Sequence, residues 1–385
     1  MPTTFSQRQL DDYLAHFRRA FPRRDQLRWA RLYLQGLLRD LPRKNVQTMA
    51  RHCQLPKGLK VKDVTQALQH FLNQSPWDER NVLRCFRALA APQFAADDGV
   101  ITLDEITFSK QGNRSVGVQR QYSTALGCKL NCQIAVAVHW LGCAAAYPLG
   151  IQLYLPSRWL QSPQLLDAAG VPQVFRRRQT KWQIALEMLD ELRSDGIPVK
   201  GVVGGQGFRA SLQALDMLNQ SLVEWMVEVS EDAVVRLEPP DARVAATVTQ
   251  PLPLRELWKK LPLAPVSCGA REEKAHRFAW VQVRPEPELL GSTTASTEPL
   301  WLLIESREES NPVFALANLP PATTLSEAAR RWGSRHQAGE SIQQMKVELG
   351  LDHFEGRSWR GFHHHACLVM LAHGLLLSVK ARDCR

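Results

Sequence analysis

The chain has 385 residues, 44% of them apolar, enough for about two folded domains or one large domain with insertions. No apolar run approaches the roughly 18–20 residues of a membrane span, and the opening residues lack the charged-then-apolar pattern of an export signal. The formal charge is +10, and the whole excess lies in residues 1–95, which hold 17 Lys+Arg against 7 Asp+Glu. A charge confined to one quarter of a chain points to a polyanion, most simply nucleic acid. The cysteines (53, 85, 128, 132, 143, 268, 367 and 384) are scattered. That scatter favours a reducing, cytoplasmic setting over a disulfide framework.

Residues 6–90 read as a helical bundle, with Leu27, Ala30, Leu34, Leu37 and Leu38 at helical spacing. Arg18, Arg19, Arg23, Arg24, Arg28 and Arg31 surround Pro22 and give the bundle a basic edge, a candidate DNA contact. Ser75-Pro76-Trp77-Asp78 reads as a helix start. No specific helix-turn-helix signature is present.

The texture changes at Asp97-Asp98-Gly99. Val100–Glu105, Ser115–Tyr122 and Cys132–Trp140 read as three successive strands. An amphipathic helix over Gln179–Arg193, a buried strand over Val199–Val203, a helix over Phe208–Leu218 and a strand over Val223–Val229 follow. Residues 231–300 are rich in Pro, Thr, Ser and charge, with isolated strand-like pieces such as Phe278–Val283, and read as an insertion. Strands at Leu300–Ile304 and Val313–Ala317 precede helices at Leu325–Trp332, Ala338–Leu349 and Gly361–Val379. The expected organisation is an all-α basic domain over 1–95, then an α/β mixed-sheet domain over 96–385.

Several groups invite a chemical reading. Asp104 is expected to end the first strand, either as a metal-binding carboxylate or as a turn cap paired with Lys110. Gly204-Gly205-Gln206-Gly207 follows a strand but lacks the Lys-Ser/Thr of a phosphate-binding loop. His363-His364-His365 fan out around a helix, so one metal does not collect all three. They are expected on the helix surface. Cys128 and Cys132 have no second pair with zinc-ligand spacing. Arg357 and Arg360 are candidate phosphate contacts around Trp359, which either packs between helices or stacks on a base.

The order of these elements is compatible with an RNase H-like core, and a series of blocks carries a closer likeness. They are RLYLQGLLRDLPRKNVQTMA at 31–50, LDEITFSKQGNRSVGVQRQYS at 103–123, NCQIAVAVHW at 131–140, LYLPSRW at 153–159, AGVP at 169–172 and KVELGLDHFEGRSWRGFHHHACLVMLAHGLL at 346–376. In this order they resemble the insertion-sequence transposases of the DDE superfamily. The resemblance implies an RNase H-like catalytic-type domain, double-stranded DNA with transposon ends as partner, and two-metal DNA strand cleavage and transfer with Mg²⁺. It is compatible with a homo-oligomer and a nucleoid-associated, cytoplasmic protein with no membrane partner.

The resemblance also implies three metal-binding acids. Asp104 matches the first. The second falls on Gly205 and the third on Gly339, seven residues before Lys346, with His336 and Ala338 replacing the tryptophan and isoleucine of the family pattern. Glycine offers no side-chain ligand, and Mg²⁺ wants carboxylates in near-octahedral geometry. Glu105 points away from Asp104 in a strand. Glu340 is rotated about 100° from residue 339. Gln206 offers only a neutral amide, and no acid follows Gly205 in the chain before Asp216. The expected protein is a transposase-family DNA binder, catalytically dead or severely impaired. The rival expectations are a domesticated repressor or assembly subunit and a decaying copy.

Overall fold

The computed structural model describes residues 6–55, 61–94, 99–142, 145–205, 207–238, 250–266, 276–286, 299–307 and 310–383. Gln206, Asp97, Asp98 and the cysteines at 143, 268 and 384 lie outside these residues. By its internal contacts the chain divides into two compact units. One comprises Met1–Asp97, Glu105–Pro198 and Ala338–Arg385; the other comprises Asp98–Asp104 and Val199–Gln337.

The first unit is built around a helix that is buried on nearly every side. Helices α1 (Gln7–Ala15), α2 (Arg24–Leu38), α3 (Val46–His52), α4 (Val64–Asn73) and α5 (Glu79–Phe94) come first. Side-chain caps start several of them: Ser6 forms a capping box with Gln9, Asn45 accepts from the Thr48 amide, and Asp63 accepts from the Gln66 amide. The helix expected to have Ser75 as cap and Pro76 as its first residue starts three residues later, at Glu79. Asp78 receives the Arg80 amide at 2.9 Å and begins α5, while the Ser75 hydroxyl accepts instead from Gln26 at 3.0 Å.

Strands β2 (Gln119–Ser123), β3 (Cys128–Leu141) and β4 (Ala146–Leu153) form an antiparallel meander. β2 begins later than the sequence suggests because Gly117 has φ +74° and turns the chain, with the Val118 amide bonded to Ser115 O at 3.1 Å. Helices α6 (Ser157–Leu160), α7 (Pro163–Ala168) and α8 (Lys181–Ser194) follow. Arg87 on α5, 2% exposed, ties these layers together. It donates to Leu149 O on β4 at 2.9 Å and to Glu191 on α8 at 2.8 Å, and it also pairs with Asp195.

The last helix, α13 (Trp359–Asp383), packs among α2, α4, α5 and β4. Its composition would suit a bilayer, but 89% of its most apolar stretch is buried within the fold. The backbone approaches its neighbours so closely at Gly374 that a Cβ there would lie 2.4 Å from Phe86.

The histidine run of α13 is not a surface feature. His363, His364 and His365 are at most 5% exposed. They do fan out, as consecutive helical residues must, but every direction is occupied. His363 Nδ1 donates to Trp359 O at 2.9 Å, and its Nε2 accepts the Leu153 amide at 3.3 Å. His364 stacks on Trp77 with centroids 3.6 Å apart and donates to Trp77 O at 2.9 Å. His365 accepts from the Tyr33 hydroxyl at 2.8 Å and donates to Gly350 O at 3.1 Å. Burial holds all three rings neutral, with pKa values of about 4, 3 and 4. Trp359 is likewise interior, 3% exposed and packed on Phe175 and His363, so it is not placed to stack on a base.

The second unit holds a mixed sheet. The first half of β1 (Val100–Ser109) pairs in parallel with β5 (Gly201–Gly204), and β5 pairs in parallel with β6 (Glu224–Val229). Helix α9 (Leu212–Gln220), capped by Ser211, links β5 to β6. β12 (Ser310–Ala317) then joins β6 antiparallel, β11 (Leu300–Arg307) joins β12, and β10 (His276–Pro285) joins β11. β7 (Val234–Leu237) and β9 (Ala264–Val266) pair with β10, and β8 (Leu252–Pro253) with β7, around the short helix α10 (Leu254–Leu257). The 231–300 segment is therefore largely strand among the described residues, continuous with the sheet through β10. Helix α11 (Leu325–Gly333) follows, starting in a Thr324–Glu327 capping box; of the next helix, α12 (Arg335–Val347), the residues from Ala338 on belong to the first unit.

Candidate functional site

Asp104 does not end its strand. β1 runs on to Ser109, because both faces of Ile106 and Phe108 are covered and the extended chain keeps burying apolar surface. It is β5 that ends here. The β1–β5 register pairs Val100 with Gly201 and proceeds to Leu103 with Gly204. One step further brings Asp104, half-buried, level with Gly205, the first residue past β5. The two positions expected to carry the first and second acids are thus neighbours on adjacent strands, about 4.8 Å apart in the sheet direction.

The glycines at this turn differ in what surrounds them. A Cβ at Gly204 would lie 3.1 Å from Phe208 Cβ and 3.3 Å from Val227, so the packing there excludes a side chain. Among the described residues, a Cβ at Gly205 would meet only Arg335 Cδ, at an ordinary 3.7 Å. Gly205 is also absent from the positions with positive φ. Nothing in the backbone or the packing requires glycine at 205.

The surroundings of Gly205 are basic and well held. Arg335 donates to Glu305 at 2.9 Å and to Trp332 O at 2.6 Å, and its guanidinium lies 3.9 Å from the Trp332 ring centroid. Glu305, 2% exposed, also accepts from Trp332 Nε1 at 3.0 Å, and His276 Nδ1 lies 3.1 Å from its other oxygen. Sequence reasoning missed Glu228. β6 pairs Val227 with Gly204, so Glu228 is the next residue in the row that holds Gly205. Chain order hides this acid, since it arrives from the neighbouring strand. Its carboxylate accepts from Arg209 at 2.8 Å.

In the first unit, Glu105 is unavailable as a substitute acid. Its side chain, 1% exposed, pairs with Lys181 and accepts the Thr124 amide at 2.9 Å and the Thr124 hydroxyl at 3.3 Å. Gly339 lies on the exposed side of α12, and a Cβ there would meet nothing within 4 Å. Glu340 is exposed beside it, while Ala338 is buried. Lys346, about two turns further along α12, donates to Thr107 O at 2.9 Å, and burial lowers its pKa. Among the described residues no group of three His, Cys, Asp or Glu side chains is placed to hold a metal.

A model of the DDE superfamily endonuclease family matches residues 16–285. The chain belongs to that family. It is also 25% identical over 234 residues to a protein of Microchaete diplosiphon described as a "Probable transposase for insertion sequence element IS701". That match covers 60% of this chain and 56% of the relative, so it spans little more than half of the relative's length. The family match includes Asp104 and Gly205 and stops before Gly339.

The basic candidates divide by exposure. Arg18, Arg19, Arg23, Arg24 and Arg28 are exposed around the α1–α2 turn, with Arg23 3.2 Å from Asp25. Arg31 is engaged, chelating Asp11 and donating to Gln7 at 2.9 Å. Lys110 donates inward to Phe354 O at 2.9 Å, and burial lowers its pKa. Arg357 is exposed; Arg360, also exposed, donates to Gln74 O at 3.2 Å.

Proposed function

We propose that this DDE-family chain binds double-stranded DNA, transposon ends or a related site, and has lost two-metal strand cleavage. Residues 1–95 supply the basic helical DNA-binding part, and 96–385 the RNase H-like part. The single observation that carries the loss is that Gly205, one residue beyond the Leu103–Gly204 pair and so next to Asp104, has room for a side chain among the described residues. A glycine kept for packing, as at 204, would say nothing about chemistry. A glycine with room for a side chain has simply given up its carboxylate.

The donor set does not fit two divalent ions. Asp104 stands beside Gly205; Glu105 is committed to Lys181 and Thr124; Glu228 is committed to Arg209. Bringing two Mg²⁺ ions together needs several shared anionic oxygens, and no catalytic step is assigned through a metal here. DNA binding rests instead on family membership and on the exposed arginines around the α1–α2 turn. The protein then acts as a DNA-bound factor, repressor or assembly subunit, in the cytoplasm.

The test is a supercoiled plasmid carrying the element ends, incubated with Mg²⁺ or Mn²⁺. The natural chain is expected to bind the ends without nicking them. Gly205→Asp with Gly339→Glu is expected to restore metal-dependent nicking, with either change alone doing little, because the acids act as a set. Nicking by the natural chain that disappears in Asp104→Ala would sink the inactive reading.

A further inference from the structure

Helix α4 differs from the helices around it. A surface helix ordinarily turns charged residues to water. α2 presents Arg24, Asp25, Arg28 and Arg31, and α5 presents Glu79, Arg80 and Arg84. α4, with the sequence VTQALQHFLN, has no Asp, Glu, Lys or Arg at all. Its inner face is conventional: Leu68, Phe71 and Leu72 are buried. Its outer face carries Thr65, Gln66, Gln69, His70 and Asn73, which at about 100° per residue fall within an arc of roughly 140°. Gln66, Gln69 and His70 are exposed, and among the described residues no hydrogen bond uses either glutamine side chain.

This row forms one wall of a groove of about 840 Å³, whose facing wall is the loop 353–358, ending in the exposed Arg357. The loop is held rigidly: Lys110 donates to Phe354 O at 2.9 Å, the Val116 amide to Arg357 O at 3.1 Å, and Ser358 to Asn73 at 2.7 Å. The groove therefore has the exposed Arg357 on one side, beside Glu355, which is paired with Arg43 at 2.8 Å, and a row of uncharged donors and acceptors on the other.

We propose that the outer row of α4 reads base edges of duplex DNA, while Arg357 on the facing wall holds a phosphate. The inference rests on the DNA-binding reading above and assigns the residues that would give it sequence preference. An amide side chain presents a donor and an acceptor in the fixed spacing that matches the N6–N7 edge of adenine, and an α-helix fits the major groove. A row of uncharged amides adds little to the non-specific attraction between cations and phosphates, so its effect falls mainly on sequence preference. The charge excess of residues 1–95 supplies the attraction to the same partner.

The experiment uses the full chain. Duplexes are selected from a randomised pool, and binding to selected and scrambled duplexes is then measured by anisotropy at several salt concentrations. The natural chain is expected to enrich a motif. Gln66→Ala with Gln69→Ala should cut the selected-to-scrambled ratio by about 10-fold or more. Affinity for scrambled DNA and the salt slope should stay as they were. Arg357→Ala should weaken both duplexes alike and flatten the slope by about one ion. An unchanged melting temperature shows that the exposed substitutions leave the fold intact. A double variant that enriches the same motif with the same ratio overturns the assignment while DNA binding stands, as does a natural chain that binds but enriches nothing. A natural chain that holds no duplex even at low salt removes the DNA-binding reading itself.

Discussion

The histidine run of α13 and the glycines at 205 and 339 are opposite cases of unusual residues in unusual places. Each histidine has its neutral tautomer fixed by partners on both sides or by a ring stacked against it. Among the described residues, a Cβ at either glycine would have almost nothing around it: one ordinary contact at 205 and none within 4 Å at 339. In the first region the surroundings dictate the residue, so its identity reports on folding. In the second the surroundings dictate nothing, so its identity reports on chemistry kept or abandoned.

The largest effect should come from acid. In the unfolded chain an imidazole takes its proton near pH 6.5, whereas in the fold His363 and His365 wait until about 4 and His364 and His373 until about 3. Between those limits the unfolded state binds more protons. Stability is therefore complete above about pH 6.5 and falls as the pH drops through that window, by roughly several kcal/mol in all. Glu79 faces His364 at 3.7 Å, and burial outweighs its attraction. Urea midpoints should decline steadily from pH 7.5 to 5, and His364→Gln should make that decline shallower. A flat profile would mean that these rings are not held neutral.

Next comes the locked neighbour of Asp104. Lys181→Met leaves the Glu105 carboxylate buried without its cation and should cost about 3 kcal/mol at pH 7. A cost below about 0.5 kcal/mol would return Glu105 to the candidate acids.

Adjacent glycines sharpen the contrast within one turn. Gly204→Ala should lose about 1–3 kcal/mol by overpacking against Phe208 and Val227. Gly205→Ala should stay within about 0.5 kcal/mol of the natural chain. Equal costs at the two positions would erase the distinction on which the loss of cleavage rests. The smallest effect is a gain: Gly339→Ala, in the exposed middle of α12, should stabilise by about 0.5–1 kcal/mol through helix propensity alone. All of these are read from urea melts.

Much of this architecture was legible in the sequence because its elements carry local signals. Thr180, Ser211 and Thr324 cap helices close to where the pattern places them. What escaped was set by tertiary surroundings. β4 contains Pro148 and Gly150, which locally read as breakers, yet it pairs with β3 across an irregularity at Val138/His139. The far half of β1 is buried on both faces and so shows no alternation to mark it as strand. The histidines were misplaced because helical geometry says which way side chains point and not what lies there. At the candidate site, the sequence indicated Asp104 and Gly205 but could not show that Glu228 falls in their row, since strand register is a property of the folded sheet. Nor could it tell a glycine the packing demands from one it merely permits.

The central position of α13 also has a consequence for how the protein is made. Tyr13 on α1 bonds to Leu371 O at 3.0 Å, and α2, α4 and α5 pack on the same helix. A ribosome emits these basic helices first and α13 some 280 residues after α5 begins. These helices also pack on one another, but until α13 is made the part of their apolar surface that it covers is bare, and the contacts that must eventually close span most of the chain. The nascent protein thus carries a cationic, unsupported segment through most of its synthesis, a period in which chaperones or nearby nucleic acid have first access to it.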